Sequence, residues 1–538
     1  MFHFEATMLG HLFFGLSLFV FVTLFIVKSK QHDFFLHLLL LLGLGMIFYA
    51  ADMITLFIGW EIMGWSSYFI LAKSAQKAIL QKYIIFNLAG AFSLLGAIVL
   101  IYSYGGSMLY EAIDASAISE NLSIAIALLL LIAIFVKSGV MPLHHWMVDS
   151  YEQADDLFSA LLSAILSKAG IFVFILFFTQ ILKGSNTPEV VFDFMAWMGV
   201  LTSIVATFKA INENEMKRLL AYSSMAQLGY IITVLALLNS VAIEAALYHT
   251  LIHTLVKLLL FVNIATVIAI SGKTAFSDLG ALIYKFPLLF VLLVIGIIVL
   301  AGMPLLGGFN SKFLIYTSLL SSQKALLLTA VMFSSASAFL YCYKLVYGIY
   351  LGQPSHHQEY LDVPKSFYIP QVFSAVILVV LGILPALPRS FFNEILLSLG
   401  LEAQSVGSLF ELSTPFASFN GGVLMAVFGT LFVLILLGVM RLSSKAVLPK
   451  DRLDISYCGE VPHESKNLHY GFGMGEELRR ISFIGLILRH TSARFWSRVS
   501  RMAGESSGLI QSFYKLCVQN VAILILLFFT LLLMIGVA

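Results

Sequence analysis

The chain has 538 residues, of which 60% are hydrophobic and 11% charged, and its mean hydropathy is +0.96. This composition supplies too little polar surface to cover a soluble globule, so we predict a polytopic membrane protein. The formal net charge of +2 says little as a total, and no nucleic-acid partner is expected. Cys342, Cys458 and Cys517 form no Cys-x-x-Cys pair, which argues against a disulfide framework, an iron–sulfur site or a structural zinc site. We therefore expect neither a cofactor nor a metal in this chain.

Apolar stretches of about 20 residues, the length of one membrane-spanning helix, follow one another along the chain. The first, 9–27, has no basic segment before it and no cleavage motif after it, so it is predicted to be a retained span. The others are 34–51, 53–72, 84–104, 123–150, 158–182, 191–210, 219–239, 242–271, 286–321, 325–350, 368–388, 420–441 and 520–537. Together they predict an all-α fold with about 14 transmembrane helices.

Lysine and arginine collect in alternate loops, and this bias predicts the orientation of the chain. The basic side receives Lys28, Lys30, Lys73, Lys77, Lys82, Lys209, Lys217, Arg218, Lys273 and Lys285. The opposite loop, 105–122, has Glu111, Asp114 and Glu120 but no Lys or Arg. We predict that the basic side is the cytoplasm, that both termini face outward, and that the protein lies in the cell inner (cytoplasmic) membrane.

The composition becomes strongly charged between residues 442 and 517. Residues 475–503 alternate charged with apolar side chains, and Arg494, Arg498 and Arg501 recur at helical spacing. This pattern predicts an amphipathic helix along the cytoplasmic surface, followed by a final transmembrane helix within 518–538. A solvated basic loop is the alternative.

Two of the predicted spans are broken by a proline beside a lysine. In the first, Pro142 follows Lys137 by five residues; in the second, Pro304 precedes Lys312. A lysine at membrane depth costs roughly 2.5–3.5 kcal/mol, and a proline removes a backbone donor and interrupts the helix. Interrupted spans in corresponding positions of two halves point to a transport site.

Two more charges lie within the spans of the first half. Glu61 lies about eight residues into its helix, so its partner is expected on another helix. Lys168 is in the middle of its span. The proton of a lysine in a low-dielectric bundle becomes mobile near neutral pH, where a nearby carboxylate can bias it. Glu61, Lys137 and Lys168 therefore predict a line of proton carriers across this half.

In the second half, His249, His253 and Lys257 recur at every fourth position and so share one helix face. The His-x-x-x-His spacing also suits zinc, but no glutamate lies between the histidines, and a protonated Lys257 would repel a cation. Imidazoles ending at an ammonium favour a proton relay over a metal site. Lys312 then continues the line beyond the second break.

These residues also have purely structural interpretations. Lys82, Lys285 and Lys344 lie near span ends and are predicted to be interfacial lysines without a function. His144 and His145 either satisfy carbonyls freed by Pro142 or take part in the relay. A buried ion pair that only holds helices together is the alternative role for Glu61, Lys137, Lys168, Lys257 and Lys312.

Taken together, five motifs resemble the antiporter-like subunits. They are Gly59-Trp60-Glu61, the stretch from Lys137 to His144, that from Lys217 to Ser224, that from His249 to Lys257, and that from Gly302 to Phe309. The family comprises proton-pumping membrane subunits of respiratory complex I, related subunits of energy-converting hydrogenases, and large subunits of multisubunit Na⁺/H⁺ antiporters. The resemblance implies two inverted five-helix repeats, 34–182 and 191–350, each with a discontinuous helix and a half-channel. They would lie between an N-terminal helix in 1–33 and additional transmembrane helices in 351–441.

The resemblance also implies a role for each residue of the line. Glu61 corresponds to the glutamate that modulates the lysine of the first half, here Lys137, and is expected within about 6 Å of it. Lys168 corresponds to the connecting residue. The helix of His249, His253 and Lys257 corresponds to the second half-channel, and Lys312 to the terminal residue at the exit.

The details resemble most closely the distal subunit of complex I and its hydrogenase counterparts, since other members have a glutamate in place of Lys312. Two departures leave the complex open: two helices usual before 9–27 are missing, and 153–158 reads Gln-Ala-Asp-Asp-Leu-Phe where many members have Ala-Pro-Thr. We expect a proton-translocating subunit of a redox-driven complex, with other membrane subunits and a redox arm as partners and no catalytic chemistry in this chain. The alternative is a subunit of a cation/proton antiporter, or an ion-coupled inorganic-carbon transporter, without a redox partner. Whether the transported ion is Na⁺ in place of H⁺ stays open.

Overall fold

The structure, a computed structural model, describes residues 2–27, 33–304, 306–351 and 360–443, and beyond these only 478, 480, 481, 484, 485, 495–499, 501 and 502. The chain divides into two units, Met1–Ile484 and Gly485–Ala538. In the second unit, residues 495–499 are helical, and the rings of Phe495 and Trp496 lie 5.3 Å apart. Most of the predicted amphipathic helix and the predicted final span lie outside the described residues.

Helices follow one another through the first unit. The first nine are α1 (Met8–Ile26), α2 (Phe34–Tyr49), α3 (Met53–Leu71), α4 (Lys77–Gly105), α5 (Glu120–Ser138), α6 (Met147–Gln153), α7 (Asp156–Leu161), α8 (Lys168–Ile175) and α9 (Glu189–Asn212). The later ones are α10 (Met216–Leu235), α11 (Ser240–Ser271), α12 (Pro287–Ala301), α13 (Gly307–Ser321), α14 (Ala325–Ile349), α15 (Tyr368–Ile383), α16 (Arg389–Ser398) and α17 (Gly421–Ser443). The strands β1 (Glu411–Ser413) and β2 (Ser418–Asn420) add one short antiparallel hairpin, which the sequence did not predict.

Within the described ranges, nine helices are long and apolar enough to cross a membrane. They are α1, α3, α4, α5, the interrupted helix Asp156–Ile181, α9, α11, α14 and the helix Lys365–Ile383. Shorter apolar helices are Phe34–Tyr49, Pro287–Ala301 and Gly421–Ile435. The chain is thus an all-helical polytopic membrane protein, apart from the hairpin, with at least nine candidate spans. The total of about 14 spans, the inversion of the repeats and the domain limits stay predictions.

Both proline-containing spans are interrupted. Helix α5 ends at Ser138 and α6 starts at Met147, while α12 ends at Ala301 and α13 starts at Gly307. Each first segment is followed by a glycine in the left-handed region, Gly139 with φ +64° and Gly302 with φ +74°. A residue with a Cβ adopts this conformation at a cost, which is why glycine is common just after the end of a helix.

The most deeply buried elements are the interrupted helix Asp156–Ile181, α10 and α11. Every residue of an 18-residue window of the first is buried, and α10 buries all of its residues except Arg218. A helix that is apolar all round belongs in the centre of a bundle, away from lipid. The spans that bear Lys168, His249, His253 and Lys257 therefore lie in the core.

The interrupted helix contains two π-helical segments, Leu162–Leu166 between α7 and α8, and Leu176–Ile181 after α8. A π-segment shifts the pairing of the backbone, which frees carbonyls within the helix. Lys168 begins α8 directly after Ser167, at the end of the first π-segment. This local irregularity supplies oxygens to a lysine that is far from water.

Candidate functional site

Lys137 lies in the last turn of α5 and is 2% exposed. Its Nζ donates to Oδ1 of Asn87 on α4 at 3.2 Å, and it lies 5.4 Å from the ring centroid of Trp60 on α3. The carbonyl of Val136, next to the break, accepts from the indole Nε1 of Trp146 at 2.9 Å. The break thus keeps its backbone satisfied while the ammonium is held by an amide oxygen and an aromatic face.

Glu61 is only half-buried, and its carboxylate accepts from Nε1 of Trp65 at 3.0 Å. This hydrogen-bond partner lies one turn further along α3, whereas the charge that interacts with Glu61 from another helix is that of Lys137 on α5. Within the described part of the chain, Glu61 and Lys137 form no ion pair within 4 Å. Glu61 does line a narrow cleft together with Trp60 and Asn87, both of which contact Lys137. Asn87 and Trp60 therefore border both the cleft of Glu61 and the ammonium of Lys137.

Lys168 is fully buried, and its Nζ donates to the Ser163 carbonyl and, at 3.3 Å, to the Ser167 hydroxyl. A second bond connects this segment to the first lysine helix, because Ser138 Oγ donates to the Ser167 carbonyl at 3.4 Å. Gly170 permits the approach: a Cβ there would lie 2.5 Å from Ser138 Oγ. Small residues at helix contacts of this kind are typical of membrane proteins.

Two serine hydroxyls join the two halves of the chain. Ser163 Oγ and Ser224 Oγ are 2.8 Å apart, and Ser224 also donates to the Leu220 carbonyl at 2.8 Å. The same carbonyl accepts from Lys257 Nζ at 3.2 Å, and Lys257 donates in addition to Ser223 Oγ. Lys168 and Lys257 are thus separated by a short polar stretch formed by Ser163, Ser224 and the Leu220 carbonyl.

The two histidines of α11 are buried and their rings stack, with centroids 6.3 Å apart. His249 has partners on both nitrogens: Nδ1 lies 3.0 Å from Ser311 Oγ, and Nε2 lies 3.0 Å from Gln227 Oε1. Neither nitrogen of His253 has a partner among the described residues. His249 therefore connects α10 with α13, whereas His253 has unused hydrogen-bonding capacity in the core.

Lys312 closes the line at the second break. Its Nζ donates to the carbonyls of Leu300 and Ala301, at 3.1 and 2.9 Å, and to Ser335 Oγ at 2.8 Å. The two carbonyls belong to the last turn of α12, where a cation is favoured by the helix dipole. The side chain passes so close to Gly302 that a Cβ there would overlap it. Lys312 thus caps the first segment of its broken span.

A cluster of half-buried charges joins α4, α6 and α10 on the side predicted to be cytoplasmic. Asp149 accepts from Lys82 and Arg218, and Arg218 also pairs with Glu152 and Glu213. Partial burial alone would raise the pKa of Asp149, but hydrogen bonds and charge attraction from its two basic partners lower it overall. Lys82 is therefore more than an interfacial lysine, because its ion pair connects the N-terminal part of α4 to this cluster.

The structure corrects the prediction for Lys344 and adds to that for His144. Lys344 is 3% exposed, donates to the Ile211 carbonyl at 3.2 Å and lies over the Phe276 ring, so it does not extend to the membrane surface. His144 is buried, and its Nδ1 has no partner among the described residues. The Val136 carbonyl beside the break accepts from Trp146 Nε1 and from the Gly139 N–H, so this group does not depend on a histidine.

The sequence interpretation missed several polar residues of the line. Asn87, Ser163, Ser224 and Gln227 each contact a predicted residue or connect two of them. Each is a neutral polar residue within an apolar span, which is the only signal that would have found them. Within the described ranges, no three His, Cys, Asp or Glu side chains cluster so as to hold a metal ion.

Comparisons with known proteins agree with the resemblance. Residues 50–338, more than half of the chain, match the family described as NADH:quinone oxidoreductase/Mrp antiporter, TM. NADH-quinone oxidoreductase subunit N of Desulfitobacterium hafniense (strain DSM 10664 / DCB-2) is 27% identical over 377 residues, which are 65% of this chain and 75% of that protein. A Na⁺/H⁺ antiporter subunit of Alkalihalophilus pseudofirmus (strain ATCC BAA-2126 / JCM 17055 / OF4) is 26% identical over 411 residues, which are 69% of this chain and 50% of that protein.

Among solved structures, a chain of the membrane-bound sulfane sulfur reductase, an archaeal respiratory membrane complex, superimposes with a TM-score of 0.83. It is 27% identical, and the match covers 98% of this chain and 88% of that one. The chain spans between about half and three quarters of the length of the two sequence relatives. It belongs to the NADH:quinone oxidoreductase/Mrp antiporter transmembrane family, as a multi-pass membrane protein with the antiporter-like fold.

Proposed function

We propose that this chain translocates protons as a membrane subunit of a redox-driven respiratory complex. One observation carries the proposal: Lys137, Lys168, Lys257 and Lys312 are all buried, and the partners found for them among the described residues are neutral oxygens. An ion pair that only holds helices together would give each lysine a carboxylate. Neutral oxygens accept a hydrogen bond from an ammonium and from an amine alike, so the same geometry serves both protonation states.

The observed hydrogen bonds support one order of transfer. A proton would pass from Lys137 by way of the Ser138 and Ser167 hydroxyls to Lys168, and across the Ser163–Ser224 contact to Lys257. Ser138 donates to the Ser167 carbonyl, so a water would have to join its hydroxyl to that of Ser167. The histidines would then carry it towards Lys312, since His249 contacts Ser311, the residue before that lysine. Glu61 would bias Lys137 through the cleft that it shares with Asn87. Waters that bridge the remaining gaps would complete the path.

The redox-driven assignment rests on similarity. The sulfane sulfur reductase chain is matched over most of both lengths, and subunit N belongs to an NADH-quinone oxidoreductase. Electron transfer would take place in partner chains, with NADH, a ferredoxin or hydrogen oxidised in a soluble arm. This chain would contribute the proton path and no redox chemistry of its own.

A cation/proton antiporter without a redox partner is the second candidate. The similarity to the Na⁺/H⁺ antiporter protein of Alkalihalophilus pseudofirmus favours it, although the chain covers only half of that protein. Purifying the complex in mild detergent and identifying its chains distinguishes these two candidate functions. Co-purifying flavin or iron–sulfur chains would support the first candidate, and small membrane chains alone would support the second.

Lys137 provides the direct test. Lys137→Ala should abolish proton pumping by the complex in vesicles while the complex still assembles, because removing a lone buried charge relieves a desolvation cost. Lys137→Arg should fail as well, since a guanidinium keeps its proton at any accessible pH. Pumping retained in the alanine variant would show that this lysine is structural.

A further inference from the structure

One buried ion pair lies off the predicted proton line. Glu244, in the second turn of α11, is 0% exposed, and Arg389, the first residue of α16, is 1% exposed. Arg389 Nε donates to Glu244 Oε1 at 2.7 Å, and its Nη2 donates to Oε2 at 3.2 Å. Both carboxylate oxygens are thus engaged, whereas Arg389 Nη1 has no partner among the described residues.

The pair lies at the end of a polar connection from His249. Ser311 contacts His249 Nδ1 at 3.0 Å, and the neighbouring Asn310 donates from Nδ2 to the Tyr248 hydroxyl at 3.4 Å. Tyr248 follows Glu244 by four residues and therefore lies on the same face of α11. Its hydroxyl donates to the Pro385 carbonyl at 3.0 Å, just before the turn that leads to Arg389. The polar residues run from the relay histidine towards the start of α11.

The direction of this connection is the one that a path for proton release to the outer side would need. The N-terminal end of α11 lies on the side of the chain that the distribution of basic residues predicts to be outward. Lys137, Lys168, Lys257 and Lys312 can hold a proton in the middle of the bundle, but none of them is paired with a carboxylate among the described residues. Glu244 is a buried acid five residues nearer than His249 to the N-terminal end of α11.

We propose that Glu244 is the outward proton-release group of the second half and that Arg389 drives the release, a proposal that rests on the proton translocation proposed above. A proton held between His249 and Lys312 would leave along this connection, bind one oxygen of Glu244 and neutralise it. Arg389 would then be a buried cation without its counterion, which favours departure of the proton to the outer side and restores the pair. One proton enters and one leaves, and no electron is transferred.

A double variant distinguishes this role from simple attachment of α16 to α11. Glu244→Leu combined with Arg389→Met removes both charges together, and such replacement of a buried pair by apolar side chains keeps or improves stability. If the pair only fastened the helices, pumping would stay within twofold of the wild-type complex, and that result would overturn the proposal. We expect at least a tenfold loss of pumping in a complex that assembles and melts like the wild type.

Two further variants complete the design. Glu244→Gln combined with Arg389→Gln removes both charges but keeps polar side chains at both positions, so it is the second arm should the apolar double variant not assemble. Unchanged pumping in it would equally overturn the proposal. The matched control is Lys324→Gln with Asp193→Asn, which removes a half-exposed ion pair of 2.7 Å together with the pair between Lys324 and Glu189, and it should leave pumping unchanged. Lys137→Ala is measured in the same experiment. Normal pumping by Lys137→Ala would refute the proposed function. Loss of pumping in Lys137→Ala together with normal pumping in the Glu244 variants would refute only the role of Glu244 as the release group.

Discussion

The contact between α5 and α8 allows a prediction with a worked magnitude. In Gly170→Ala the new Cβ would lie 2.5 Å from Ser138 Oγ, 3.1 Å from the Ile134 carbonyl oxygen and 3.3 Å from Lys137 Cβ. The serine hydroxyl can rotate away, but the carbonyl belongs to the α5 backbone and cannot. The two helices must therefore separate by a few tenths of an ångström, and Ser138 loses its bond to the Ser167 carbonyl.

Overpacking of this kind typically costs about 1–3 kcal/mol. Alanine also raises the helix propensity by about 1 kcal/mol relative to glycine, so a control with the same propensity gain is needed. Gly15→Ala is that control, because a Cβ there meets no atom within 4 Å. Gly170→Ala should be less stable than Gly15→Ala by about 1–3 kcal/mol, seen as a lower melting temperature of the purified complex, and its pumping should fall. Equal melting temperatures and equal pumping would refute both the tight contact and its place in the proton path.

Two more predictions concern single carboxylates. Glu61→Gln should impair pumping strongly and Glu61→Asp more mildly, since only the second retains a charge in the cleft shared with Asn87; equal pumping by both variants and the wild type, measured in vesicles, would eliminate the glutamate as a modulator. Asp149 should stabilise the fold in a pH-dependent way, because folding lowers the pKa of its carboxyl group. Its contribution to the free energy of unfolding is complete above the unfolded pKa of about 4. It is lost as the pH falls through the folded pKa. Melting temperatures measured between pH 3 and 7 should therefore converge for the wild type and Asp149→Asn at the acid end, and a constant difference between them would contradict this origin of the stability.

The sequence was most informative where a residue type conflicts with its surroundings. A lysine or a proline within an apolar span is expensive, so Lys137, Lys168 and Lys312 could be selected without a structure. Neutral polar residues produce no such conflict, because a serine or an asparagine in a membrane helix can bond to its own backbone. Asn87 and Ser224 do this as well, bonding to the carbonyls of Tyr83 and Leu220. Only the packing of helices reveals their second partners.

Residues near span ends were the least predictable. Glu244 lies close to the start of its span and Arg389 just beyond the end of another, so each reads as an interfacial charge until the turn before α16 brings them together. Lys344 was predicted to reach the membrane surface, but the loop containing Phe276 covers it. In each case tertiary structure decides burial, and local hydropathy cannot report it.

Lys312 has a consequence that extends beyond its place at the end of the line. Its ammonium caps the last carbonyls of α12, and a charge at such a position stabilises a helix end by about 0.3–1 kcal/mol or more when partly buried. Thermodynamic linkage then works in both directions: loss of the proton loosens the end of α12, and a force that displaces this end changes the free energy of binding the proton. A neighbouring protein that pushes on the broken span could thereby load or unload the proton site mechanically, without touching the lysine.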